Sequence, residues 1–257
     1  MAFTVHAVMP GVWHIVDCMG VCMTLLEGEN AAMLVDTGYG IEDVADFMRH
    51  MTDLPLTVFL THNHHDHAMG ARCFPETYML EADMADWRMF TNDKMRRRVL
   101  TQAIGKNLPV DEKTFLAGEI PLPKVMKPGV IDLGGLTAEI IEAPGHTPGS
   151  AVVYVPERKL LLSGDDWNPC TWLFFPQALG LREYRSNMRG IQQLPFEKVL
   201  CPHREGLYDR WMFDALTDGN IRAAEPVNIA PYEQIDTCQA TLPHDQVLVF
   251  DWAKSGL

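Results

Sequence analysis

The run His62-Asn63-His64-His65-Asp66-His67, directly after the apolar stretch "LTVFLT", constrains this chain more than any other feature. On a loop leaving a strand, such a run can turn successive imidazoles and a carboxylate toward one point, where a metal ion would find its nitrogens. Standing alone, the cluster could equally be a solvated polar turn. Three further segments each place a metal-type ligand after an apolar run and beside glycine or proline: "APGHTPGS" with His146, "LLLSGDD" with Asp165 and "VLCPHREG" with His203. Small, turn-forming neighbours let a loop bring its ligand close without a side-chain clash. Four such segments at strand ends are an improbable accident.

The surrounding patterns point to an α/β chain. "FTVHAV", "VWHIV", "GVCMTLLEG" and "AAMLVD" read as a meander of short strands separated by turn signals. Ile41, Val44, Phe47, Met48 and Met51 recur at helical spacing, so a helix packs on that sheet before "LTVFLT" forms the next strand. Residues 81–125 are charged and Met-rich, and read as a helical insertion beside the site. Strand grammar resumes with "TAEIIEAPGHTPGSAVVYVPERKLLL", followed by a helix over 181–194, the strand "KVLCP", a helix over 208–224 and terminal strand-like runs. With 257 residues, 47% of them hydrophobic, the expectation is one domain over 1–257. A formal charge of −13 argues against nucleic acid or anionic lipid as a partner. The N-terminus lacks a leader pattern and no apolar run reaches membrane-spanning length, so a soluble, cytoplasmic protein with no membrane partner is expected. The six dispersed cysteines read as reduced thiols.

In order and spacing, "HNHHDH", His146, Asp165 and His203 resemble the metallo-β-lactamase superfamily, and "LVDTGYG" with Asp36 resembles its early D-x-G motif; the likeness spans roughly Gly20 to Gly206. The resemblance implies a four-layer αββα sandwich with the metal site at one rim of the facing sheets. It assigns one ion to His62, His64 and His146, a second to Asp66, His67 and His203, and the bridge between them to Asp165. Asp36 would sit behind the loop and orient it. Imidazoles and carboxylates suit two zinc ions, with iron or manganese also compatible. The implied chemistry is hydrolysis by a metal-bridging hydroxide that Asp66 orients or deprotonates.

Departures from the pattern narrow the branch. Asp165 stands where one group of true β-lactamases carries cysteine, and His64 where the di-iron flavoproteins carry an acid. Asn168 replaces the tyrosine of acyl-homoserine lactonases, and the glutathione-binding extension of glyoxalase II and the basic arms of nucleases have no counterpart here. The expected substrate is a small, neutral or weakly charged ester, thioester, lactone or cyclic amide. The rivals are a phosphodiester or phosphonate, or a metal-binding sensor without turnover. Trp167, Trp172, Phe174 and Phe175 either line an apolar substrate pocket or pack in the core. Met84, Trp87, Met89, Phe90 and Met95 in the insertion suggest a lid or a homodimer contact. Arg96–Arg98 read as a solvated helix face, and His65, outside the ligand pattern, as turned away from the metals, facing solvent or supporting a ligand from behind.

Overall fold

Residues 3–218, 221, 224–230 and 232–256 are described by the structure, a computed structural model. Its first apolar runs form an antiparallel meander of β1 (Thr4–Met9), β2 (Val12–Val16), β3 (Cys22–Glu27) and β4 (Ala32–Val35). The helix expected from Ile41 begins slightly later, as α1 (Val44–Met51), because the Asp43 side chain accepts from the Asp46 amide and caps it there. It crosses to β5 (Leu56–Phe59), which lies parallel to β4, and β6 (Tyr78–Met79) and β7 (Lys124–Val125) complete a seven-stranded sheet.

Between β5 and β7 lie one helical turn, α2 (His65–Ala68), and the insertion, which holds α3 (Trp87–Thr91), α4 (Asp93–Gly105) and α5 (Glu112–Leu116). The second half runs β8 (Gly129–Asp132), β9 (Thr137–Glu142), β10 (Ala151–Val155) and β11 (Leu160–Leu162), then β12 (Cys170–Leu173), α6 (Leu181–Ile191), β13 (Lys198–Leu200), β14 (Tyr208–Asp209) and α7 (Arg210–Asp218). The expected extension of this last helix toward Ala224 falls partly outside the described residues. The chain closes with β15 (Glu225–Pro226), β16 (Thr237–Leu242) and β17 (Gln246–Asp251). A six-stranded sheet has the order β14-β13-β11-β10-β9-β8, and a smaller one the order β12-β17-β16-β15.

Strand alternation makes the layers. On β10, Ala151, Val153 and Val155 meet Leu26, Met33, Val35 and Phe59 of the first sheet, while Val152 and Tyr154 turn the other way onto Leu181, Tyr184 and Met188 of α6. On the far side of the first sheet, Val44 and Met48 of α1 cover Leu25, Leu34 and Val58. The result is the expected αββα sandwich. Among the described residues no helix is long and apolar enough to cross a membrane.

The insertion carries its own core: Trp87, Val99, Leu100, Ala103, Phe115 and Ile120 close over Leu60, Ala68 and Met69, the residues that flank the histidine run. Met89 alone of its expected anchors points out, at 56% exposure. Arg96–Arg98 are not one solvated face. Arg96 is buried, donating to the carbonyls of Phe115, Ala117 and Gly118, and Arg97 is exposed. Arg98 reaches the cavity over the histidines. Consecutive residues on a helix are turned by about 100°, so three in a row cannot share one surface.

Candidate metal centre

Parallel pairing brings the ligands to one rim. Val35 lies opposite Phe59 in the first sheet and Leu162 opposite Leu200 in the second. The chain therefore leaves β4, β5, β11 and β13 in matched pairs, carrying Asp36 beside the histidine run and Asp165 beside His203. His64 is still extended, at φ −65° and ψ 146°, and the turn of α2 starts at the next residue. His62 and His64 are thus presented from extended chain, and Asp66 and His67 from a helical turn.

Two donor groups result. The ligand atoms of His62, His64 and His146 lie within 4.8 Å of one another, as do those of Asp66, His67, Asp165 and His203. Asp165 stands between them: its Oδ2 is 3.6 Å from His146 Nε2, 3.4 Å from His67 Nε2 and 3.0 Å from His203 Nε2. Asp66 Oδ2 lies 3.7 Å from His67 Nε2 and 3.6 Å from His203 Nε2.

Supporting contacts leave the inward atoms open. His67 Nδ1 is 3.0 Å from Asp36 Oδ2, His62 Nδ1 is 3.1 Å from Thr61 Oγ1, and His146 Nδ1 donates to the Trp172 carbonyl at 2.7 Å. The inward His62 Nε2 is buried with no partner, and His67 Nε2 and Asp165 Oδ1 are buried without a hydrogen bond, meeting only the ion-pair contacts within the second group, at 3.4 Å to Asp165 Oδ2 and 3.0 Å to His203 Nε2. Each such orphan costs about 1–3 kcal/mol, and a divalent cation is the partner that suits nitrogen lone pairs and carboxylate oxygens together. The residues present fit the ions.

Asp36 sits at φ 65°, a left-handed conformation that is strained for a non-glycine residue. Its carboxylate receives the Thr61 amide at 2.7 Å and the Thr61 hydroxyl at 2.9 Å, besides its contact with His67, which offsets that strain. Gly70, which closes the cluster, is required by packing: a Cβ there would lie 2.1 Å from the Thr37 carbonyl oxygen.

The electrostatics separate the two groups. Burial, reinforced by their neighbours, holds His62 and His64 well below the ordinary imidazole range, and burial also lowers His146. All three are thereby held toward neutral imidazole, the form that can ligate a cation. Burial pushes His67 and His203 down as well, but Asp165 and Asp66 outweigh it and raise both. Burial likewise pushes the Asp66 carboxyl up, yet His67, His65 and His203 hold it at about 2. The second group is thus a carboxylate pair that demands positive charge, which a divalent cation supplies.

Three supports carry no motif. Asp83 accepts from the amides of Asn63 and Gly149 and from the Thr147 hydroxyl, tying the histidine run to the His146 loop. Asp166 Oδ1 accepts from the His146 amide at 2.9 Å. The Gln177 amide lies 2.9 Å from His64 Nε2, leaving Nδ1 turned toward His146.

A cavity of about 450 Å³ opens over both groups. Trp172 and Phe175 line it, but Trp167 and Phe174 do not. Trp167 is fully buried, edge-on to Tyr208, with its indole N–H donating to Gln246, and Phe174 lies fully buried beneath Phe175. Period-two alternation on β12 exposes Cys170 and Trp172 to the cavity and buries Thr171 and Leu173. His65 belongs to neither donor group; it lines the cavity, edge-on to Tyr39, with Nδ1 3.8 Å from Asp66 Oδ1, because α2 begins at this residue.

Comparison with known proteins agrees with this geometry. An acyl-coenzyme A thioesterase, MBLAC2, of Gallus gallus is 26% identical over 200 residues, covering 70% of this chain and 70% of that protein. A metallo-beta-lactamase family protein from Thermus thermophilus superposes with a TM-score of 0.58 at 20% identity, over 82% of this chain and 79% of the other. The sec-alkylsulfatase Pisa1 from Pseudomonas sp. gives 0.62 at 15% identity, over 84% of this chain and 41% of the other. The model of the Metallo-beta-lactamase superfamily matches residues 16–203, which contain every ligand of both donor groups. With the sandwich in place and both donor groups at its rim, the chain belongs to the metallo-beta-lactamase superfamily.

Proposed function

We propose that the protein is a hydrolase of carbonyl esters or thioesters that works with two divalent ions, zinc in the first instance. His62, His64 and His146 would hold one ion and Asp66, His67 and His203 the other, with Asp165 shared. The observation that carries this reading is the position of Asp165 Oδ2, within 3.6 Å of ligand nitrogens from both groups. Imidazole-rich donor sets favour zinc, while the oxygen donors also accept iron or manganese. The thioesterase relative supports a thioester among the carbonyl substrates.

Bound ions supply Lewis acidity, which acidifies water and polarises a carbonyl oxygen. The chain's own residues do the rest. Asp66 is ionised and lies at the cavity wall, placed to accept a proton from an attacking water. Asp36 keeps the His67 ring from turning. Phe90, Trp172 and Phe175 provide an apolar wall that keeps bulk water from the acyl group.

Elemental analysis of protein expressed with zinc should find close to two ions per chain. The loaded enzyme should then turn over an aryl ester or a thioester faster than a lactone, a chromogenic β-lactam or a bis-aryl phosphate. Phosphodiester turnover above every carbonyl substrate would overturn the assignment, and a metal-loaded protein inert on the whole panel would point to a sensor.

A further inference from the structure

The cavity is lined unequally at its two ends. Over the three-histidine group the walls are aromatic: the Phe90 ring lies 4.4 Å from that of His64, Phe175 lies 4.9 Å from His64, and Tyr232 stands edge-on to Phe175 at 5.3 Å. Over the Asp66–His203 group the wall is cationic. Arg204 follows His203 in the chain and donates to its carbonyl at 2.8 Å. Arg98 comes from α4, where Met95, Arg98 and Gln102 form one cavity-facing stripe at helical spacing.

Neither guanidinium is held by a carboxylate: among the described residues, the ion pairs between arginine and carboxylate that the structure shows involve Arg49, Arg88, Arg96 and Arg210, and the one contact of Arg204 is through a single nitrogen to the His203 carbonyl. Among the described residues, the only carboxylates lining the cavity are Asp66 and Asp165, which already belong to the second donor group. In a chain with 34 acidic and 21 basic residues, two arginines without an acid beside a cavity depart from the general surface.

We propose that Arg98 and Arg204 form an anion subsite for the leaving group of the substrate. The apolar acyl part then lies against Phe90, Phe175 and Tyr232, the scissile carbonyl over the donor groups, and anionic oxygens of the departing thiol or alcohol meet the two guanidiniums, whose planar forks suit phosphate and carboxylate. This rests on the hydrolase reading above, and it replaces the neutral or weakly charged substrate expected from composition with one that is amphipathic and anionic at one end.

The test is one acyl group, hexanoyl, on three thiols: neutral N-acetylcysteamine, carboxylate-bearing mercaptosuccinate and phosphate-bearing coenzyme A. Each is assayed with the wild type and with R98Q, R204Q and the double variant. For the wild type, kcat/KM should favour at least one anionic thioester over the neutral one by about tenfold or more at low salt, and the thiol so favoured tells phosphate from carboxylate. In the double variant that preference should collapse, chiefly through KM, with a loss on the anionic thioester several-fold greater than on the neutral one. No anionic preference in the wild type, or equal losses on all three thioesters, would overturn the subsite. Calorimetric binding of desulfo-coenzyme A and of mercaptosuccinate's sulfur-free analogue, succinate, gives a readout independent of turnover. If no thioester is hydrolysed but the double variant loses about tenfold or more in affinity for one of these anions, the hydrolase reading fails and the subsite stands. If neither anion binds the wild type, the subsite falls.

Discussion

Asp36 concentrates the local physics of the site: a left-handed backbone at φ 65° and a carboxylate shared by Thr61 and His67. Asp36→Ala keeps a Cβ in the left-handed conformation, so it leaves the strain and removes the contacts that offset it; it should also free the His67 ring, and metal affinity should fall by about 10–100-fold in a chelator competition. Unchanged affinity would mean that packing alone holds the ring. Asp165→Ala should cost more, since one oxygen faces both donor groups; elemental analysis should then find fewer than two ions and no turnover, whereas Asn168→Ala should keep both ions. The ligands were legible because each sits at a strand end beside a small turn residue, in a spacing that survives without tertiary knowledge. Asp83, Asp166 and Gln177 were not, because their contacts run across distances in sequence that no local pattern marks. His65 stays outside both donor groups, as the pattern implies, and the turn of α2 sets it on the cavity wall beside Asp66.

At the scale of elements, the insertion lies beside the site, where its place in the sequence puts it. Its Met and aromatic residues suggested a lid or a subunit contact, and α3, α4 and α5 close over the histidine run, with α3 and α4 giving the cavity part of its wall. Arg96 holds that arrangement by filling the carbonyls of Phe115, Ala117 and Gly118 at the end of α5. Arg96→Met removes all three hydrogen bonds from a buried place, so urea unfolding should show a loss of about 2–4 kcal/mol. Arg97→Gln, on the exposed side of the same helix, should stay within about 0.5 kcal/mol. Equal effects would mean that the carbonyls find water when the guanidinium goes. Short apolar runs bounded by turn signals, such as β10, which is buried at every position, could be read directly, but β12 could not be assigned a partner, because it pairs in parallel with β17 across some seventy residues of chain.

Across the whole molecule, the donor set is divided between the two facing sheets. His62, His64, Asp66 and His67 follow β5 of the first, while His146, Asp165 and His203 follow β9, β11 and β13 of the second. Both donor groups draw on both sheets, so an ion held by either group would tie the sandwich together at its rim. Whatever binds the folded state alone stabilises it by mass action, about 2.7 kcal/mol for each site when free ligand exceeds its dissociation constant a hundredfold. For a chain of this length each kcal/mol moves the melting midpoint by about 2–4 °C. Stripping the protein with a chelator should therefore lower Tm by about 5–10 °C for one site and more for two, and adding zinc back should restore it. Asp165→Ala should blunt the recovery, since that carboxylate reaches donors from both groups. A midpoint indifferent to chelation and to zinc would show that the facing sheets hold their register through the apolar interface of Met33, Phe59, Val153 and Leu162 alone. The donor groups would then be a passenger on the sandwich and not one of its fastenings.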